Sequence, residues 1–308
     1  MSMDHGEFAV SVIIPVFNGA ATIGDTLSAV LSQRVSGGRV EVIVVDNGST
    51  DGTPDLVSRM PVRLLHESKR GPAAARNLGL RHASAPIIAC VDADMLPTHR
   101  WLERLTAPLA APEVHLVAGS VTGFQPTTPA ERYAQTRGNY SRASTVDNAR
   151  IPFAQGGNLA IRREEALAIG GWCEEMPSGE DVDFSIRMQK RYPSVITYVP
   201  EAMAFHRHRI DADGLQRQAH WWGRGLWHLI KRHPQFGGWS AFKSARVRAV
   251  LGWQRLCMCF ATPFVRLGIL SAEQAEFERY HSLWLCSYWA GFFEAHRASP
   301  GVEWSRDA

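Results

Sequence analysis

Apolar positions in the first two-thirds of this chain come as short β-branched blocks separated by polar stretches of helical spacing. Val10-Ser11-Val12-Ile13-Ile14-Pro15-Val16 reads as a first strand and Glu41-Val42-Ile43-Val44-Val45 as a second. Val62-Arg63-Leu64-Leu65 and the block from Ala85 to Val91 supply two more. Between them, Thr22 to Gln33, Pro54 to Met60 and Pro72 to His82 carry the 3.6-residue pattern of helices. Near-continuous apolar strands alternating with helices predict an α/β fold with a mostly parallel central sheet covered on both faces. Functional loops in such open sheets gather beyond the carboxyl ends of the strands. Asn18, Asp46 and Asp92 fall there.

After about Val121 the pattern loosens, through a Gly-, Pro- and Thr-containing stretch from Gly123 to Pro129 and a polar helix through Arg142. Gly156-Gly157-Asn158 precedes a short apolar run, and the turn Gly170-Gly171-Trp172 precedes an acidic helix starting near Glu180. Val195 to Val199 reads as a further strand and Ala204 to Arg209 as extended chain. From Gly214 onward the chain reads as helix, broken at Gly237-Gly238. The expected organisation is an α/β domain over residues 1–209 and a helical region over 210–308.

Composition narrows the class. Hydrophobic content of 45% against 20% charged residues describes a folded globular chain. A net charge of +3 is too small to argue for nucleic acid as a partner. Five cysteines, of which Cys257 and Cys259 lie close together, make neither a metal motif nor a disulfide framework. Reduced thiols point to the cytoplasm. The stretch Ala9 to Val16 has the length of a strand rather than of a signal segment. No window reaches the ~20 uncharged apolar residues that span a bilayer.

The chemistry concentrates in acidic pairs. Asp92-Ala93-Asp94 closes an apolar block, so two carboxylates leave the edge of a buried strand together. Side chains two apart on an extended chain share a face and converge on one cation. Hard oxygen ligands suit magnesium or manganese bridging phosphates rather than zinc. A second cluster, Gly179-Glu180-Asp181-Val182-Asp183, opens a helix and offers a base. Each motif also has a purely structural reading. Asp92 to Asp94 would cap a helix, Asn47-Gly48 would reverse the chain, and Ser178 to Asp181 has capping-box spacing.

In order along the chain, Ser11 to Asn18, Val45 to Gly52, Gly71-Pro72-Ala73-Ala74-Ala75-Arg76-Asn77-Leu78-Gly79, Asp92-Ala93-Asp94, Gly156-Gly157-Asn158 and Gly179-Glu180-Asp181 resemble glycosyltransferase family 2, enzymes of the GT-A fold. The resemblance covers roughly residues 9 to 209. It implies a nucleoside-diphosphate sugar as donor, a UDP-sugar most commonly, with guanosine and thymidine versions compatible. Pro15, Val16 and Asn18 would wall the base pocket, Asp46 would bind the nucleobase, and Arg70 and Ala93 would meet the nucleotide. Asp94 is assigned to Mn2+ or Mg2+, and Asp92 to the ribose or a water-mediated contact. Several related transferases complete the metal site with a histidine, and His206 fits that spacing better than His208. Asp181 would be the base of a single inverting displacement. Gly157, Asn158, Trp172 and Glu180 would line the acceptor side, with Trp172 in the core as its structural alternative. The acceptor would be a glycan, a lipid-linked sugar or a small hydroxyl compound.

The last hundred residues carry a different signal. From Arg207 to Arg255 there are ten Lys or Arg residues against Asp211 and Asp213, interleaved with Trp221, Trp222, Trp227, Trp239 and Trp253. Leu215, Ala219, Trp222, Leu226 and Leu229 form an apolar stripe, and Arg217, Arg224, His228 and Lys231 a basic face. Two readings fit: a helix lying on an anionic membrane surface, holding the enzyme peripherally at the inner face, or a packed helix with a solvated basic side. Gln218-Ala219-His220-Trp221-Trp222 lacks the arginine of the motif that processive relatives carry, so transfer of single sugars is expected. Rival functions fare worse. A sugar nucleotidyltransferase would need a cation in the loop Phe17 to Thr22, a dinucleotide oxidoreductase a Gly-x-Gly-x-x-Gly turn, and a degenerate carbohydrate-binding scaffold would not require Asp92, Asp94 and Asp181 together.

Overall fold

The computed structural model describes residues 7–138, 140–148, 151–193, 195–233, 235, 240–267 and 270–298. Arg150, Gly237, Gly238 and Trp239 lie outside these, as do the side chains of Cys257 and Cys259. In chain order the elements are β1 Phe8–Val16, α1 Ile23–Leu31, β2 Arg39–Asp46, α2 Thr53–Ser58, β3 Arg63–His66, α3 Pro72–His82, β4 Ile87–Val91 and β5 Met95–Pro97. There follow α4 Trp101–Thr106, β6 Leu116–Gly123, α5 Pro129–Arg137, β7 Asn158–Arg162, α6 Arg163–Ala168, α7 Glu180–Arg191 and β8 Thr197–His206. The long helices α8 Ala212–Arg232, α9 Ala241–Arg266 and α10 Ala272–Ala298 complete the chain.

Two compact units result. The first comprises Met1–Phe124, Gly138–Glu175 and Glu180–Arg207, and the second Gln125–Arg137, Met176–Gly179 and His208–Ala308. The second therefore recruits α5 and a short piece before α7, in addition to the C-terminal helices.

The first unit is built on one sheet in the order β3-β2-β1-β4-β7-β6-β8-β5. Alternation along β1 and β2 explains its two covered faces. Val10, Val12, Ile14 and Val16, with Val42 and Val44, pack into one core together with Ile23, Leu27 and Val30 of α1 and Trp101, Leu102 and Leu105 of α4. Ile13, Ile43 and Val45 point the other way, into a core shared with Ala73, Ala75 and Leu80 of α3 and Phe184 and Met188 of α7. The period of two thus sorts one continuous apolar run into two layers.

β1 to β4 are parallel neighbours, as the sequence pattern predicts. Beyond β4 the sheet is mixed. β7 runs antiparallel to both β4 and β6, β5 antiparallel to β8, and β6 parallel to β8. The two extended segments expected at Val195 to Val199 and Ala204 to Arg209 are one strand, β8. Its ladder with β6 skips between Gly119 and Ser120, and the skip absorbs Pro200, Glu201 and Ala202. A proline without an N–H reads as a strand break in sequence but is accommodated at such an irregularity. The polar helix expected to reach Arg142 ends at Arg137, and Arg142–Ser144 forms a separate single turn.

Asn158, expected on the acceptor side, holds this irregular half together. It is fully buried. Its Oδ1 accepts from Trp101 Nε1 at 2.8 Å, and its Nδ2 donates to the carbonyls of Ser120 and Ala202 at 2.8 and 3.0 Å. Gly119 leaves the room: a Cβ there would meet the Ala202 carbonyl and the Asn158 amide.

In the second unit the tryptophan-rich helix α8 packs against α10. Leu215 and Ala219 share a cluster with Tyr133 and Trp284, with Trp222 packed against it, and Leu226 packs on a second cluster of Trp227, Ile230, Phe292 and Ala295. Glycines let the two backbones meet, since a Cβ on Gly223 would strike the Tyr288 carbonyl and one on Gly291 the His220 carbonyl. The apolar stripe therefore packs inside the unit. Among the described residues no helix is long and apolar enough to cross a membrane.

Replacing Asn158 by Ala strands one indole N–H and two carbonyls in the core. The expected cost is about 2–4 kcal/mol of stability, read as a lower denaturant midpoint. A midpoint unchanged from wild type would contradict the bridging role.

Candidate active site

Three strand ends bring the first group of residues together. Val16 lies opposite Asp46 in the β1–β2 register, and Ile13 opposite Cys90 in the β1–β4 register. Strand order reverses at the β1–β4 boundary, the kind of switch point where open sheets form a crevice. Pro15, Val16 and Asn18 leave β1 there and Asp46 leaves β2. Asp92, Ala93 and Asp94 leave β4 in a turn closed by the Met95 N–H donating to the Asp92 carbonyl at 3.1 Å.

Asp46 is buried, and its oxygens accept from the Ser49 N–H at 3.2 and 3.3 Å, with His66 Nδ1 at 3.5 Å. Asn47 ties this turn to the next loop, donating to the carbonyls of Glu67 and Lys69 at 3.0 and 2.7 Å and accepting from the Gly71 N–H at 2.7 Å. Asn18, at a φ of 50°, joins the same lattice. Its N–H donates to Ser49 Oγ and its Oδ1 accepts from the Thr50 N–H, both at 2.8 Å. Arg70 Nη1 donates to the Asn47 carbonyl at 2.8 Å, and its guanidinium lies 4.1 Å above the Phe17 ring. Phe17 is 51% exposed and was not among the expected site residues; an aromatic placed directly after a buried strand was its signal. Lys69 pairs instead with Glu174 at 2.8 Å.

The second group is organised by Arg76, which sequence reasoning left unassigned. Pro72 opens α3 and Ala73, Ala74 and Ala75 are all buried, so no bulky side chain holds the helix away from the sheet. The buried face runs Ala73, Arg76, Asn77, Leu80, the i, i+3, i+4, i+7 spacing of a core-facing stripe. A cation on that stripe was the available clue. Arg76 is 3% exposed. Its Nη2 donates to Asp92 Oδ1 and its Nη1 to Glu180 Oε1, each at 2.7 Å. Burial acts to lower the Arg76 pKa, but Asp92 and Glu180 overcome it and hold the group well above its ordinary value.

Asp181 sits beside this pair. Its Oδ2 accepts from the Gly156 N–H at 3.1 Å and its Oδ1 from the Val182 N–H at 2.8 Å. Burial raises its carboxyl above the ordinary range, against the Gly156 N–H and Arg76. Burial likewise pushes Glu180 up to about 7, opposed by Arg76 and reinforced by Asp181. Gly156 and Gly157 are small of necessity. A Cβ on Gly156 would lie 2.9 Å from the Arg76 guanidinium, and one on Gly157 2.6 Å from Asp92 Oδ2. Ser178, the expected capping residue, donates instead to the Trp221 carbonyl at 2.9 Å.

Asp94 meets His206 through the β5–β8 pairing, in which Met95 lies opposite His206. Asp94 Oδ2 is 3.7 Å from His206 Nε2, and His206 is 4% exposed with its ring 4.7 Å from that of Tyr140. One carboxylate and one imidazole are acceptable to manganese, whose remaining positions take water and phosphate oxygens; magnesium would use the carboxylate alone. Among the described residues no group of three His, Cys, Asp or Glu side chains forms a cage of the kind structural zinc occupies. The donor set therefore fits the expected metal. His208 falls in the second unit.

All four residues expected on the acceptor side make contacts within the protein. Trp172 is 1% exposed and stacks on Phe184 at 4.5 Å. Glu180 is buried and spent on Arg76. Asn158 bridges strands as described, and Gly157 gives room to Asp92.

Comparison with known proteins gives the family and the fold. The family model described as Glycosyl transferase family 2 matches residues 11–167. Glycosyltransferase AglE of Haloferax volcanii is 33% identical over 217 residues, 68% of this chain and 70% of that protein. The pre-mycofactocin glycosyltransferase of Mycobacterium tuberculosis is 29% identical over 235 residues, 73% of this chain but only 48% of that longer protein. Among solved structures, the Pyrobaculum calidifontis mannosyltransferase PcManGT, in complex with GDP-Man and Mn2+, superposes with a TM-score of 0.60 at 22% identity, covering 94% of this chain and 88% of that one. Glucosyl-3-phosphoglycerate synthase of Mycobacterium tuberculosis, with Mn2+, UDP and glucosyl-3-phosphoglycerate, does so with a TM-score of 0.54 at 21% identity, over 76% and 82% of the two chains. At those identities the structural likeness is one of fold; the family model and the archaeal relative carry the assignment. This chain belongs to glycosyltransferase family 2.

Proposed function

We propose that this glycosyltransferase moves a single sugar from a nucleoside-diphosphate sugar to an acceptor hydroxyl, with inversion, using Asp181 as general base and a divalent metal at Asp94 and His206. The observation that carries this reading is the Arg76 node. One buried guanidinium holds Asp92, at the end of the donor-side strand, and Glu180, the neighbour of the base, each at 2.7 Å. Donor and acceptor functions are thereby set at a fixed spacing.

On this reading the strand ends take the nucleotide. Asp46 and the Arg70–Phe17 pair are placed for the base, and Asp92 for the ribose or a water-mediated contact. Uridine and guanosine diphosphates are the nucleotides of choice, because the solved proteins of this fold carry UDP in one case and GDP-mannose in the other. Asp94 and His206 would hold the metal, which when bound supplies Lewis-acid neutralisation of the departing diphosphate. The acceptor oxygen attacks the anomeric carbon, the bond from that carbon to the diphosphate oxygen breaks, and the acceptor proton passes to Asp181. Each Asp181 oxygen already accepts one backbone N–H, which fixes the carboxylate plane while leaving lone pairs for that proton. Burial of Asp181 raises its basicity toward the working range of a general base.

Four outcomes are expected. Asp181→Asn lowers turnover by about 10²–10⁴-fold while calorimetry shows donor binding intact; near-normal turnover would reassign the base. Asp94→Ala loses the manganese dependence of nucleoside-diphosphate binding, which a thermal-shift panel reads directly. Because the base must be ionised and burial raises its pKa, activity should climb with pH through a limb lying above the ordinary carboxylate range. An acid limb at the solution value would separate Asp181 from the chemistry. Arg76→Met should cost about 3–5 kcal/mol, since it leaves the buried Glu180 without its counter-ion and the partly exposed Asp92 without its partner. Adding Glu180→Gln should recover part of that stability but not turnover.

A further inference from the structure

We infer that the helical unit carries an oxyanion-binding seat on Arg137, for a phosphate or carboxylate group borne by a small molecule, separate from the residues assigned to transfer. Arg137 ends α5, and its guanidinium carbon lies 3.1 Å from the centre of the Trp284 ring on α10. Trp284 is itself buried and stacks on Tyr288 at 4.7 Å, with Trp222 at 6.2 Å. One turn earlier on α5, Tyr133 is buried, and its hydroxyl lies 3.1 Å from His281 Nδ1.

What this surrounding lacks is negative charge. Burial pushes the hydroxyls of Tyr133 and Tyr288 up to about 12, so both stay neutral. Burial, helped by Arg137, holds His281 below its ordinary value, so it too is uncharged near neutrality. The exposed Glu278 acts on Tyr133 and His281 but makes no ion pair with Arg137. Among the described residues Arg137 has neither a hydrogen bond nor a salt bridge. Other arginines of this unit do pair, Arg132 with Glu276 at 3.2 Å and Arg224 with Glu294 at 3.8 Å.

Energetics make the vacancy of charge informative. An arginine cannot shed its proton to escape burial. The ring face returns only ~0.5–2 kcal/mol, less than the several kcal/mol that desolvating a cation costs. Nη1 alone among its nitrogens is enclosed without a partner, so Nε and Nη2 are not fully enclosed. The Nε–Nη2 edge is the planar fork that takes two oxygens of one phosphate or carboxylate in parallel hydrogen bonds.

The test uses the full chain with manganese and UDP or GDP present to occupy the donor site. Phenyl phosphate and inorganic phosphate are titrated by calorimetry and thermal shift, with potassium chloride matching ionic strength. Wild type should show saturable binding and a raised melting temperature, Arg137→Met should lose both, and Arg137→Lys, which keeps charge but not the fork, should bind several-fold more weakly. A larger response to phenyl phosphate than to inorganic phosphate identifies a group carried on an organic body. No saturable response to either probe overturns the seat, and so does a response that persists in Arg137→Met or is unchanged in Arg137→Lys. The manganese-dependent nucleotide shift should be the same in all three proteins, so failure here is distinguishable from failure of the transferase reading.

Discussion

A single enclosed cation sets the terms for the catalytic unit. Arg76 can lie within the α/β core only because two carboxylates meet it there, and Glu180 can be enclosed only because Arg76 meets it, while the Asp92 side chain stays 34% exposed. Arg76 or Glu180 alone would carry the several kcal/mol that an unpaired interior charge costs. The surrounding residue choices follow from that mutual requirement. Alanines bring α3 close to the sheet, glycines at 156 and 157 clear the space around the guanidinium and Asp92, and Cys90 beneath it keeps its proton, its thiol pushed by burial up to about 12. The strand end and the start of α7 are thus joined by charge rather than by a shared ladder.

How much of this was legible in the sequence depended on the kind of interaction involved. β1, β2 and β4 announced themselves because a strand buried on both faces is apolar at every position. α3 was readable to the residue, since Pro72 opens it and the pattern closes at His82. The outer half of the sheet was not. β6 contains Gly119 and β8 contains Pro200, both of which lower any strand reading, and both are required by a tertiary irregularity around Asn158 that periodicity does not encode. Asp92, Asp94 and Asp181 could be picked out by residue type and order. Their partners could not: Arg76 looks like any solvated helix cation until the stripe on which it falls is traced, and proximity in sequence to Asp181 does not tell a lining side chain from a supporting one at Glu180 or Trp172.

The C-terminal helices make the same point in the opposite direction. Tryptophans interleaved with arginines suggested a surface seeking a membrane, yet Trp222 and Trp227 pack against another helix of the same unit, while Trp221 and Trp253 stay exposed. Composition identifies a helix with an apolar side; only packing shows what that side is spent on. The basic face that remains is mostly solvated or paired, as with Arg224 and Glu294, and Arg137 stands apart from it because aromatic rings rather than carboxylates surround it.

The reciprocity of the Arg76 node also bears on how such a site changes over generations. Contacting residues that share one charge network do not contribute additively. Replacing any one of Arg76, Asp92 or Glu180 leaves the others in a worse state than replacing the pair or the trio together. A lineage drifting toward a different donor geometry would therefore cross a deep fitness valley by single steps here, while Phe17 and Arg70, at the solvent edge of the same crevice, stay free to vary one at a time. Change should accordingly accumulate at the rim, with the charge-paired trio inherited as a block.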